Sequence, residues 1–247
     1  KARRAVLLGL AVFLLVLLFV LPASWVAAVL PTGVQCGQWG GSVWRGQCID
    51  LKVSDGGRST VTLDSLHWQV TPLALLRFSL AADFQGAWPQ GAAAGHIVVR
   101  PGGSIRLRGL TGRSLLDQKF FAALPAGWNG SVDLRELELD WHAGSLDRLG
   151  GVLGVNDLSD ARGVALGNYR LEFAPSSTLP FTGQLRDTGG PVEVDASLQL
   201  TAERTWSLEG RMRVRDPSAE LLNRRLDMLS AADASGWRRL SAAGHFN

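Results

Sequence analysis

Ligand-bearing side chains are scarce in this 247-residue chain, which has four histidines (His67, His96, His142, His245) and two cysteines (Cys36, Cys48). That leaves little from which to build a zinc site. A surplus of cations is missing as well. The chain holds 25 Lys and Arg against 22 Asp and Glu, and Lys1, Arg3 and Arg4 sit in an acid-free stretch of the first 31 residues. Beyond that stretch the two signs balance, so the clustered excess of Lys and Arg that grips nucleic acid is absent. No Gly-rich loop has the order of a phosphate or dinucleotide site. Gly-x-Ser-x-Gly is absent too, Gly41–Gly46 being one residue too long for it. Charged residues are only 19% and hydrophobic ones 46%, which excludes a disordered chain. We therefore expect no cofactor, no metal and no nucleic-acid partner. Glycine is abundant by contrast, at 29 residues, and points to many turns and few long helices.

What is present begins with an apolar run. Seventeen residues from Ala5 to Leu21 lack any polar side chain, and the stretch continues to Leu30 with Ser24 as its one polar group. About twenty such residues span a hydrocarbon core of ~30 Å. A cleaved signal peptide has a shorter apolar region, and Leu18–Ser24 makes a poor cleavage pattern. The expectation is a cytoplasmic basic head (1–4), a single transmembrane helix (5–30) and a periplasmic β-rich domain (31–247). Arg3 and Arg4 mark the inner end of the anchor, and Trp25 suits the outer interface. The protein would thus sit in a bacterial inner membrane as a single-pass chain, with the lipid bilayer as one partner. Cys36 and Cys48 flank a glycine-rich turn and can meet across a hairpin, as an oxidising compartment permits. Two free thiols are the alternative, and the Cys-x-x-Cys spacing of redox or metal sites is absent.

Beyond Pro31 the dominant signal is alternation with period two. Val192, Val194, Ala196, Leu198 and Leu200 alternate with polar residues, and after a short break Trp206, Leu208, Gly210, Met212 and Val214 do the same. Two such runs make an antiparallel hairpin with one apolar face. Shorter runs occur around Ile49–Val53, Val61–Val70, Phe78–Phe84, Ile105–Leu107, Val132–Trp141 and Tyr169–Phe173. Phase slips at Asp64-Ser65 and Arg135-Glu136 read as β-bulges. Helices are expected at Thr111–Ala123 and over 217–232, the latter with Asp216 as N-cap and Leu221, Leu222, Leu226 and Leu229 on one side. Gly144–Val155 reads as a short helix or a loop. The fold class is mainly β, a twisted, largely antiparallel sheet of roughly eight to twelve strands with one or two short helices. Trp68, Trp141 and Trp206 are read as core residues.

No residue stands out as catalytic. Asp140 and His142 share a strand face, but the pair reads as a solvated strand end, and Asp64 with His67 is no better. The stripe Arg100, Arg106, Arg108 and Arg113 could meet lipid phosphate or an acidic partner, or be the wet face of two strands. The chain reads as a non-enzyme.

Leu21-Pro22-Ala23-x-Trp25, Leu30-Pro31 and the turn built on Gly41, Ser42, Trp44 and Gly46 resemble the type II secretion system protein N family of Gram-negative bacteria. So do the Pro72-Leu73-x-Leu75-Leu76 segment after a strand ending at Trp68, and the tail from Leu221 to Phe246. The resemblance implies an accessory, inner-membrane-anchored scaffold subunit that contacts other subunits of the secretion platform and, in some species, the outer-membrane secretin. The family is also similar in style to AsmA-like periplasmic proteins, which implies an alternative role in binding or transferring phospholipid.

Overall fold

The computed structural model describes residues 20–28, 30, 33–54, 60–116, 127–202 and 205–245. They form two compact units that divide between Pro89 and Gln90. In the first, β1 (Val34–Gly41), β2 (Arg45–Ser54), β3 (Thr60–Val70) and β4 (Leu80–Trp88) each pair antiparallel with the next. Two 3-10 helices accompany them, Ala23–Ala28 and Pro72–Arg77.

The second unit is a longer antiparallel meander. It runs through β5 (Gly91–Arg100), β6 (Ser104–Leu115), β7 (Asn129–His142), β8 (Ser145–Ser159), β9 (Ala165–Ser176) and β10 (Phe181–Gly189). It closes with β11 (Val192–Leu200), β12 (Thr205–Val214), the α-helix α1 (Glu220–Asp227) and β13 (Arg238–His245). The protein is mainly β, with thirteen strands among the described residues, more than the alternation pattern separates.

Three expected elements differ. Thr111–Leu115 belongs to β6 and not to a helix. Gly112 and Ser114 pair with Leu134 and Val132, and Ser114 is buried. The helical spacing of the large residues there concealed a strand whose inward side is small. Residues 117–123 lie outside the described residues. Gly144–Val155, read as helix or loop, is mostly strand β8. Its glycines permit close approach: a side chain at Gly154 would meet the Asp133 carboxylate at 2.6 Å. The expected 217–232 helix is only the two turns of α1. Asp216 does not cap it; its carboxylate accepts from the Ser218 backbone N–H and hydroxyl, in a turn ahead of Ala219. Leu222 and Leu226 are buried, whereas Leu221 and Leu229 face solvent.

Of the two phase slips, Arg135-Glu136 is a bulge: the β7–β8 register shifts between Arg135 and Glu138, and Glu136 takes a left-handed φ of 50°. At Asp64-Ser65 the β2–β3 register is kept, with Leu63 opposite Leu51 and Ser65 opposite Ile49. The irregular residue there is Asp50 on the partner strand, at φ 56°.

Among the described residues no helix is long and apolar enough to cross a membrane. Residues 1–19, with Arg3, Arg4 and most of the apolar run, lie outside them. Within the described part of the expected 5–30 helix, Ala23–Ala28 is a 3-10 turn against β1 with Ala23 buried.

Candidate functional site

The motif turn in the first unit explains its own composition. Gly41 sits at φ 79°, a left-handed value that glycine adopts without steric penalty. The Ser42 N–H donates to the Arg45 carbonyl at 3.0 Å, and the Arg45 N–H donates to the Ser42 hydroxyl at 3.2 Å. Trp68 lies over Gly46, where a Cβ would fall 2.3 Å from its ring, and its indole N–H donates to the Val43 carbonyl at 2.9 Å. The Trp44 carbonyl accepts from the Val70 N–H at 2.7 Å. Trp39 meets Trp68 edge to face, with ring centroids 6.1 Å apart. Cys36 and Cys48 are joined by a disulfide across β1 and β2, with Cα atoms 5.9 Å apart. This region is a pinned turn, built from the residue types such a turn needs.

The second unit holds a different feature. The apolar positions of its strands share one face, and α1 covers only one end of it. Leu222 and Leu226 pack there on Val192, Val194, Met212 and Val214. An ion pair between Arg225 and Asp160 ties the helix to the β8–β9 turn. Burial pushes the nearby Tyr169 phenol up to about 12, with the Asp187 charge adding to the shift. The same hydroxyl donates to the Leu166 carbonyl at 2.7 Å.

The other end of the face is open. A groove of about 860 Å³ lies there, with Leu149, Phe173 and Phe181 forming a buried floor. Ile105, Trp141 and Leu179 stand at its rim, 39%, 41% and 45% exposed. Among the described residues no titratable side chain lines it. Its volume falls in the ~300–1,000 Å³ range of small-molecule pockets, and its apolar lining suits hydrocarbon. Trp141, expected in the core, is instead a rim residue, because nothing among the described residues lies over that end of β7.

The charges beside the groove are paired. Arg108 contacts both Asp140 oxygens, at 2.6 and 2.9 Å, and Arg106 approaches at 3.9 Å. The Arg108 hydrogen bond holds the Asp140 carboxyl below the usual carboxylate range, against a smaller opposing effect of burial and with help from the surrounding guanidinium charges. Arg113 lies 3.9 Å from Asp133. Three of the four arginines of the expected stripe thus face carboxylates of this chain, while Arg100 is an exposed strand end. Asp140 is engaged by Arg108, and His142 is exposed beside it. Trp25 is 61% exposed on the first 3-10 helix. Among the described residues no group of three or more His, Cys, Asp or Glu comes together to hold a metal.

A groove with an apolar floor is what the lipid-binding alternative requires, but most of its lining is not picked out by the sequence. Its signal lay in Leu146 and Leu149, whose strand was obscured by glycines, and in the lone large residues Leu179 and Phe181 around Pro180.

A family model for the type II secretion system (T2SS), protein N, matches residues 32–241. No curated protein and no solved structure matches the chain. The matched span takes in the pinned turn, every strand but the last residues of β13, and the helix that covers one end of the second unit's apolar face. The chain belongs to the type II secretion system protein N family, and is by that membership a component of a protein-secretion machine.

Proposed function

We propose that the protein is a non-catalytic accessory scaffold of the type II secretion system, anchored in the bacterial inner membrane with both units in the periplasm. The family match over 32–241 carries this reading. The apolar run Ala5–Leu21 supports the anchor, with Lys1, Arg3 and Arg4 on the cytoplasmic side and Trp25 at the outer interface. The Cys36–Cys48 bond supports an oxidising compartment. A groove whose described lining is almost wholly apolar supports a binding role. The partners are inner-membrane subunits of the secretion platform and the outer-membrane secretin. Purification in mild detergent should bring down these subunits, and deletion should strand folded exoenzymes in the periplasm. Secretion at the normal rate in the deletion strain would overturn the reading.

The open groove favours a second reading, in which the chain binds or transfers phospholipid. Phospholipid would then co-purify in a fixed ratio. Deletion would alter outer-membrane permeability while secretion continued.

A further inference from the structure

The first unit displays apolar side chains at the end where the chain enters it. Leu21, the last residue of the unbroken apolar run, accepts a hydrogen bond through its carbonyl from the Val43 N–H at 2.9 Å, and Pro22 bridges Ser42. The same β1–β2 turn holds the end of β3 through the bond from Val70 to Trp44. The chain then passes directly into the 3-10 helix Pro72–Arg77. Backbone hydrogen bonds therefore place the exit of the apolar run and this short helix at one end of the sheet.

That helix is apolar on the outside. Leu73, Leu76 and Phe78 are 73%, 78% and 81% exposed. Isolated exposed leucines need no explanation, but a cluster of this kind marks a contact surface. Phe78 sharpens the point, because it sits at φ 51°, the left-handed conformation that a helix end normally assigns to Gly or Asn. The turn is well held: the Phe78 N–H donates to the Leu75 carbonyl at 3.0 Å and the Ser79 hydroxyl to the Ala74 carbonyl at 3.0 Å. A strained backbone thus presents a phenyl ring to solvent, which gains nothing in water and gains transfer energy in an apolar medium.

Charge indicates which medium. Residues 20–28, 41–46 and 68–83, which make up this end, contain Arg45, Arg77 and one acid, Asp83, which lies opposite Gln69 across β3 and β4. Two cations against one carboxylate, next to exposed Leu, Phe and Trp and at the exit of the apolar run, match the anionic phosphate layer of a bilayer with hydrocarbon beneath. We propose that Leu73, Leu76 and Phe78 dip into the membrane interface beside the point where the apolar run leaves it. Arg45 and Arg77 then lie at the phospholipid phosphates. The first unit is thereby held upright on the bilayer by a second contact, so its direction is set and not left to a flexible tether. This rests on the anchor proposed above, and it assigns the Pro72–Phe78 segment a role that the anchor alone does not require.

The test uses the full chain in vesicles of phosphatidylethanolamine and phosphatidylglycerol, with a single nitroxide at Leu76→Cys, Leu14→Cys or Thr62→Cys. Leu14 lies in the apolar run, and Thr62 is an exposed residue on β3, away from this end. Collisions with oxygen should exceed those with a water-soluble nickel chelate at positions 14 and 76, and the reverse should hold at 62. If position 76 behaves like 62 while 14 remains in lipid, the interfacial contact is wrong and the anchor stands. If 14 and 76 both behave like 62, both fail. A label at 76 shielded from both reagents would mean that protein covers the segment, which also overturns the proposal.

Discussion

The two ends of the apolar face in the second unit obey the same pattern and meet different fates. At one end α1 lies over the sheet, and Val192 and Leu222 are 3% and 5% exposed. Even a cation is taken in there. Arg238, on the strand position paired with Met212, is 4% exposed and donates to Asp227 and Asn223 of the helix. At the other end the rim residues Trp141 and Leu179 stand in the open above a buried floor. Alternation makes the whole face apolar, but at the open end only the floor residues Leu149, Phe173 and Phe181 are buried, while under the helix the face is covered.

The sharpest way to break this contrast is a charge at the covered end. Leu222→Asp buries a carboxylate without a partner and should cost about 3–5 kcal/mol or prevent folding, read by urea denaturation. A fully folded variant with an unchanged midpoint would mean that α1 is not seated on the sheet. Phe181→Ala tests whether the floor of the open end is true core. The side chain is 1% exposed, so truncation should cost ~3–4 kcal/mol.

Trp141→Glu should do much less, below about 1 kcal/mol, because the side chain is already 41% exposed. It should still weaken binding of an apolar fluorescent probe to the groove, measured by titration. Unfolding by this substitution would show that the rim is packed in solution and that the two ends are alike.

The smallest effect concerns Asp140. Its folded value lies below the unfolded one, so its pairing with Arg108 stabilises the fold above about pH 4, and that stability is lost as pH falls through the depressed folded value. Asp140→Asn should flatten this acid-side loss by no more than about 1 kcal/mol, since the pair is near the surface. An unchanged acid limb in pH-dependent melting would show that other carboxylates govern it.

How much of this was legible varies by element. The β11–β12 hairpin could be read outright: Val192 pairs with Val214 and Leu200 with Trp206, as the two alternating runs require. The bulge at Arg135-Glu136 was equally plain, because an extra residue resets which side faces the core. The strand β8 was hidden by glycines, which look like loop when read alone and prove to be clearance for Asp133 and Leu137 across the ladder. The turn at Gly41–Gly46 stood out as a motif, but its reason, the Trp68 ring seated on Gly46, involves residues 22 positions apart.

The sequence by itself determined what depends on neighbours along the chain: the period-two faces, the apolar run at the start and the balance of charge beyond it. Tertiary structure alone decided which apolar residues would be covered. The α1 helix has eight residues and is about 12 Å long. The nine-residue strand β11 runs roughly 30 Å. Tied to the end of β12 by the short link 215–219, the helix reaches the Val192 end of that strand and stops there. Leu200 and Trp141 belong to the same alternating pattern as Val192, yet they line an open groove, because burial depends on the reach of a cover that the local pattern does not encode.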